Sequence, residues 1–137
     1  MPVYFENATQ PSAQDLADLD KIYADAPDWL IQPFADGAAL IAHGLQHSTL
    51  VTGRFNSRLL GAALLDKQAD CWLLSHVCVR ELTRNRGVAR RIVEEATRLA
   101  DEAGQRLHVV IPADQPELLA LARAKSLIIA APLATVL

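Results

Sequence analysis

Along most of this chain the apolar residues recur with periods that name the elements they belong to. Residues 2–7 alternate, with Val3 and Phe5 set against Tyr4 and Glu6, which predicts a first strand. Ser12 then stands as the N-cap of a helix running to residue 24. In that helix Leu16, Leu19, Ile22 and Tyr23 fall on one face, while Asp15, Asp18 and Asp20 largely face away. Pro27 ends it, and residues 26–33 read as a loop carrying Trp29. Asp36 is placed to cap a second helix over 38–46, weakened towards its end by Gly44. Two strand-like runs, 48–55 and 58–65, are separated only by Asn56-Ser57, a spacing that predicts a tight hairpin with Arg54, Asn56 and Arg58 at its tip.

After a polar turn at 66–70, residues 71–79 are almost continuously apolar, interrupted by Ser75 and His76, as in a strand covered on both faces. A long amphipathic helix follows from Gly87 to 103. Val88, Ile92, Ala96, Leu99 and Ala103 form its stripe, Glu94 and Arg98 an i, i+4 pair, and Gly104 its stop. Residues 106–111 predict a short strand, and Pro116 opens a helix to 125. Residues 127–131 and 133–137, around Pro132, read as a final hairpin or a broken edge strand. Strands alternating with helices in this way place the chain in the α/β (α+β) class, as a single domain over 1–137.

Composition narrows the function. With 137 residues, 51% of them hydrophobic, the chain can build one core with little surplus. A net charge of −3 and a pI near 5.7 argue against nucleic-acid and anionic-membrane partners. No apolar run approaches a membrane span, and no basic segment precedes an apolar stretch at the N-terminus, so the expected compartment is the cytoplasm. Cys71 and Cys78 lie at an odd offset along one predicted strand, on opposite faces, so no disulfide is expected. His43 and His47 have the i, i+4 spacing of metal ligands, but no acidic residue joins them at helical intervals. Solvent-facing histidines and no metal site are expected.

The positive charge is local. Between the strand ending at Val79 and the helix beginning after Gly87, Arg84, Arg86, Arg90 and Arg91 gather where the helix dipole disfavours cations. Unpaired N–H groups at a helix N-terminus, a glycine that lets a ligand approach the main chain, and guanidinium groups together point to a phosphorylated ligand.

Arg84-Asn85-Arg86-Gly87-Val88-Ala89 resembles the Gln/Arg-x-x-Gly-x-Gly/Ala signature of the GNAT superfamily, the GCN5-related N-acetyltransferases. More narrowly, Arg54-Phe55-Asn56-Ser57-Arg58-Leu59-Leu60-Gly61-Ala62 and Val79-Arg80-Glu81-Leu82-Thr83-Arg84-Asn85-Arg86-Gly87-Val88 are similar to the PanZ (PanM) family. The likeness extends over roughly 54–103, with a weaker echo at 15–23. It implies a GNAT fold with a mixed, mostly antiparallel central sheet flanked by helices. It also implies acetyl-CoA (or CoA) as ligand, and aspartate 1-decarboxylase as a partner whose maturation or activity is controlled. The pantetheine arm would lie along the backbone of Val77, Cys78 and Val79. The pyrophosphate would meet Thr83, Arg84, Asn85, Arg86, Gly87, Val88, Ala89 and Arg90. The hairpin tip, Arg54, Asn56 and Arg58, would contact the partner, and Trp29 and Phe34 are candidates either for an acceptor pocket or for the side of the core. The segment 28–48 is longer than the family pattern, and 128–137 has no obvious counterpart in it.

Acetyl transfer needs a base for the amine and an acid for the departing thiolate. The segment 116–127 offers no tyrosine, and the chain's only tyrosines are Tyr4 and Tyr23. Along 71–79 the one titratable candidate is His76, with His108 on the neighbouring strand as a second, and a hydrogen-bonded structural role is the alternative for His76. The sequence therefore favours an acetyl-CoA sensor over its competitor, an N-acetyltransferase acting on a small molecule or protein. A P-loop nucleotide site is disfavoured because no Lys-Ser/Thr follows Gly87.

Overall fold

In the computed structural model, which describes residues 3–83, 87–111, 116–124 and 128–130, the predicted alternation becomes one sheet. The backbone alone is described for Trp29, Thr83, 116–118 and 128–130. Six strands stand in chain order: β1 (Tyr4–Asn7), β2 (Leu50–Phe55), β3 (Arg58–Lys67), β4 (Trp72–Val79), β5 (Leu107–Val110) and β6 (Ile128–Ala130). The first four are antiparallel to one another, and β4, β5 and β6 are parallel. The sheet is therefore mixed and mostly antiparallel, as expected. Helices α1 (Ala13–Ala24), α2 (Asp28–Ile31) and α3 (Gly37–Gln46) precede β2, α4 (Val88–Glu102) joins β4 to β5, and α5 (Pro116–Ala124) joins β5 to β6. Both parallel crossovers place their helix on one face, where Val51, Ala63, Leu65, Leu74 and Val79 pack against Val88, Ile92, Val93, Ala96, Leu121 and Ala122. On the other face Leu50, Leu59, Ala62, Leu64 and Cys78 pack against Leu19, Ile22 and Tyr23 of α1 and Leu40 and Ile41 of α3.

The local signals hold where they are chemically specific. Ser12 and Asp15 form a reciprocal capping box at the start of α1, and the Asp36 carboxylate accepts from Ala39 N–H at 2.8 Å. Asn56 and Ser57 both take positive φ, 49° and 69°, as a two-residue hairpin turn requires. Gly104 closes α4 at φ 70°, with Gln105 N–H bonded back to the Ala100 carbonyl at 2.9 Å, a Schellman ending.

Several expectations are corrected. Asp18 does not face away: it is 1% exposed, holds the Arg58 guanidinium at 2.6 Å and accepts Leu59 N–H at 3.1 Å, while Leu16 is 40% exposed. The loop at 26–33 contains the short α2. On α4 the buried positions are Val88, Ile92, Val93, Ala96, Thr97 and Ala100. Leu99 is half-buried because the stripe turns towards Val93 and Thr97, and Ala103, the C-cap, is exposed. Arg98 pairs with Glu95 and Glu102, and Glu94 lies 3.8 Å from Arg90 instead. Strand β4 starts after Cys71 and is irregular in its middle, so the odd-offset argument for the two cysteines fails, although no disulfide joins them. Residues 128–130 form a strand parallel to β5, whereas 131–137 lie outside the described residues.

Two carboxylates of α1 thus fasten the β2–β3 hairpin. Arg54 donates to both oxygens of Asp15, from Nη1 at 3.1 Å and Nη2 at 3.0 Å, and from Nε to Glu6 at 3.1 Å. The guanidinium bonds hold the Asp15 and Asp18 carboxyls below their usual range, against the opposing effect of burial. With the folded value lowered, this stabilisation is complete above the unfolded carboxylate value near 3.8 and is lost as pH falls through the folded one. Removing the buried partner leaves Leu59 N–H and Arg58 without their acceptor. Asp18→Ala is expected to lower unfolding stability by about 2–4 kcal/mol at pH 7, read from urea denaturation, with a smaller difference from wild type at pH 3.

Candidate functional site at the start of the fourth helix

Paired glycines seat the helix on the sheet. Gly53 and Gly61 face each other across β2 and β3, and a β-carbon at Gly61 would come within 2.8 Å of the Val88 side chain. At Gly53 the same distance would be 3.2 Å. Val88, the first residue of α4, drops into this notch and is 1% exposed. That fixes Gly87, which sits at φ 85°, a left-handed value that glycine adopts without strain. Among the described residues nothing lies within 4 Å of where its β-carbon would be, no side chain caps the helix, and no acid occupies its first turn. Among the described residues, then, no side chain satisfies the free N–H groups of this 15-residue helix and no acid offsets its dipole.

The arginines divide. Arg90 is exposed at 66%, with its guanidinium 3.8 Å from Glu94. Arg91 instead donates from Nε to the Val3 carbonyl at 3.2 Å and pairs with Glu95 at 3.1 Å, so it braces β1 against α4. Ala89 is half-buried on the same first turn. The predicted ligand residues Arg84, Asn85 and Arg86 lie outside the described residues, and Thr83 ends a short 3-10 turn, Glu81–Thr83, on the approach to them.

Beside this helix start the sheet opens. The β4–β5 ladder runs from Trp72↔Leu107 through Leu73↔His108 to Leu74↔Val109 and stops, while β4 continues to Val79. Among the described residues no strand pairs with β4 on that side beyond Leu74. At the point of separation His76 has φ 56°, and the register of β4 with β3 slips between Ala62 and Leu64. This β-bulge shifts the alternation by one residue. Trp72, Leu74, Val77 and Val79 belong to the α4 face, and Cys78, whose thiol reaches the Ile22 carbonyl at 3.3 Å, to the α1 face. Val77, Cys78 and Val79 therefore form the wall of β4 that extends past its last pairing with β5 among the described residues. The continuous apolar run of the sequence gave no sign of this bulge.

The titratable groups near the opening are engaged. His76 is 6% exposed; its Nε2 donates to the Gln32 carbonyl at 2.9 Å, so Nδ1, 2.8 Å from Ser75 Oγ, is the acceptor. Its ring lies 5.4 Å from that of Phe34, and burial pushes its pKa down, partly offset by the bond to Gln32. Tyr23, 1% exposed, donates to the His76 carbonyl at 3.0 Å, and burial raises its phenol well above the usual range. Tyr4 is exposed on β1, at the far edge of the sheet. His108 is half-buried opposite Leu73, on the part of β5 still paired with β4, and no contact among the described residues joins it to His76. Phe34 fills the space between His76 and His43. His43 and His47 are exposed and stacked, 4.2 Å between ring centres, and no group of three metal-ligating side chains occurs among the described residues.

At the hairpin, Arg54 and Arg58 are held by Asp15 and Asp18, whereas Asn56 is exposed on the turn. The Arg58 side chain remains 48% exposed beside it. Sequence reasoning missed Asp15, Asp18 and Asp25 as the carboxylates that organise both regions. Among the described residues no helix is long and apolar enough to cross a membrane.

Comparison with known proteins places this geometry. The PanD regulatory factor of Salmonella typhimurium is 37% identical over 87 residues, covering 64% of this chain and 60% of that protein, so the match spans about three fifths of the curated relative. Among solved structures, the ribosomal-protein-S18-alanine N-acetyltransferase of Escherichia coli superimposes with a TM-score of 0.67 at 14% identity, covering 90% of this chain and 76% of that one. N-acetylglutamate synthase of Neisseria gonorrhoeae, in complex with coenzyme A and N-acetyl-glutamate, gives 0.65 at 17% identity, covering 88% of this chain and 27% of that one. At such identities these two likenesses establish the fold alone. The family model described as acetyltransferase (GNAT) domain, PanZ, matches residues 2–131. The chain therefore belongs to the PanZ family of GNAT domains.

Proposed function

We propose that this protein, acting as one domain in the cytoplasm, binds acetyl-CoA where β4 gives way to α4, and in that state docks on aspartate 1-decarboxylase to control its maturation or activity. The printed role of the Salmonella relative, a regulatory factor for PanD, supports the partner. The CoA complexes of GNAT-fold neighbours support the ligand. On this reading the uncapped N-terminus of α4 receives the pyrophosphate through the N–H groups of Gly87, Val88, Ala89 and Arg90. Thr83, Arg84, Asn85 and Arg86 complete the cradle. The pantetheine arm runs along the main chain of Val77, Cys78 and Val79, occupying the side from which β5 has turned away. A thioester bound there supplies an activated acetyl group, and what this chain does around it decides between sensor and enzyme.

One observation carries that decision: His76, the titratable side chain at the parting of the strands, has both ring nitrogens committed. A base must have a free lone pair within reach of the attacking amine, and the Nδ1 lone pair is taken by the Ser75 hydroxyl. Tyr23, the phenol closest to the bulge, is buried and already donating to His76. The hairpin is the proposed docking element, with Asn56 exposed at its tip and Arg54 and Arg58 held in fixed orientation by α1. A preorganised tip loses little conformational entropy on binding, which favours recognition of a partner.

The test combines binding and turnover. Calorimetric titration of the acetyl-CoA-loaded protein into aspartate 1-decarboxylase is expected to show binding. Asn56→Ala is expected to weaken that binding by about tenfold or more, equivalent to about 1.4 kcal/mol, without changing acetyl-CoA affinity. No amine from a broad panel should accelerate CoA release. Amine-dependent release without decarboxylase binding would make the protein an N-acetyltransferase and overturn the reading.

The state of His76 gives a second test. Since its folded pKa is depressed, its stabilising contribution is complete above the unfolded value near 6.5 and declines as pH falls below it. NMR titration should show the His76 imidazole titrating at lower pH than histidine in the unfolded chain. A normal or raised value would mean a solvent-open, base-like histidine.

A further inference from the structure

Helix α1 ends in a carboxylate that is unfavourable by two electrostatic criteria. Asp25 is its C-cap, at the negative end of the helix dipole. It also lies beside the turn that leads to a site proposed to hold a polyanion, where its charge opposes the ligand's. What the carboxylate does there is specific. Its Oδ2 accepts the Glu81 N–H at 3.0 Å, and the Arg80 guanidinium lies 3.4 Å from the same oxygen. The β3–β4 ladder makes its last bond one residue earlier, Arg80 N–H to the Leu60 carbonyl at 2.9 Å. Asp25 therefore extends the hold on the chain past the end of β4 and into the Glu81–Thr83 turn. Val88 in the Gly53–Gly61 notch provides the corresponding anchor on the helix side. Leu82, between the two anchors, is 80% exposed, so the core does not hold this turn.

We propose that Asp25 is a positioning residue for acetyl-CoA: by fixing the Glu81–Thr83 turn to α1 it sets the approach of the chain to the α4 N-terminus that receives the ligand. The inference rests on the reading that this helix end binds acetyl-CoA. A role in positioning and a role as a mere charge predict opposite signs. If Asp25 acted only through its charge, removing it would take a negative charge away from the site and tighten the binding of a polyanion. If it positions the turn, removing it loosens the entry and weakens binding. Asparagine separates the two, since its side-chain oxygen still accepts from Glu81 N–H while the charge is gone.

Acetyl-CoA is titrated calorimetrically into wild type, Asp25→Asn and Asp25→Ala, with hydrogen exchange of the Glu81 amide read in the free proteins. The expected result is about tenfold weaker binding for Asp25→Ala, near-wild-type binding for Asp25→Asn, and faster Glu81 exchange in the alanine variant alone. Equal or tighter binding in both variants overturns the positioning role while leaving the ligand assignment intact. Wild-type protein that does not bind acetyl-CoA overturns the ligand reading, and this inference with it.

Discussion

Strand β4 carries one residue more than β3 can match, and the slack is taken up at His76. The left-handed backbone there persists because three partners hold it: Tyr23 of α1 bonds its carbonyl, Gln32 accepts from its ring, and Ser75 donates to the other ring nitrogen. Such a conformation costs of order 1–3 kcal/mol for a non-glycine residue, so it survives only where its surroundings over-determine it. Its consequence is geometric. Beyond the bulge no described residue of β5 pairs with β4, and the wall formed by Val77, Cys78 and Val79 leads into the turn that precedes α4. On the proposed reading the wall and the helix end are parts of one device, a main-chain surface for an extended arm and a positive pole for an anion at its end.

Helix α1 ties this device to the hairpin on the same face. Its first turns hold the β2–β3 tip through Asp15 and Asp18. Its last turn reaches the bulge through Tyr23, and its C-cap reaches the turn after β4 through Asp25. These contacts differ in weight. Asp18 is buried and accepts from a main-chain N–H as well as from Arg58, so its loss strands two donors. The pairs along the outer face of α4, such as Arg98 with Glu102, are solvated and contribute little. An assembly in which one rigid helix touches both the proposed ligand end and the proposed partner end suits linkage between the two, because displacement at one is not absorbed before the other.

Sequence reasoning reached what short-range chemistry dictates. Caps at Ser12 and Asp36, the Asn56-Ser57 turn, the stop at Gly104 and the glycine at the start of α4 each follow from a local conformational requirement, and each is where it was expected. The rest depends on partners distant in the chain. Nothing in the spacing of α1 says that Asp18 is buried, because the reason is Arg58, 40 residues on. The bulge was silent because a strand covered on both faces shows no alternation for an extra residue to disturb. The notch that seats Val88 left a trace only in retrospect, in two glycines on strands that pair with each other. At the site, the glycine was legible, while the turn of Arg91 towards Val3 and Glu95 and the fate of His76 were not: a base and a structural histidine look the same until the carbonyl of Gln32 is placed against the ring.

The measurement that bears most directly on the whole account is the reciprocal linkage between ligand and partner. Acetyl-CoA affinity is determined by calorimetry for the protein alone and for the protein saturated with aspartate 1-decarboxylase, and decarboxylase affinity with and without acetyl-CoA. The account predicts that each tightens the other by the same factor, about fivefold or more, equivalent to about 1 kcal/mol of coupling. Affinities that are independent of one another would contradict it, leaving a GNAT domain whose hairpin and helix end serve unrelated ends.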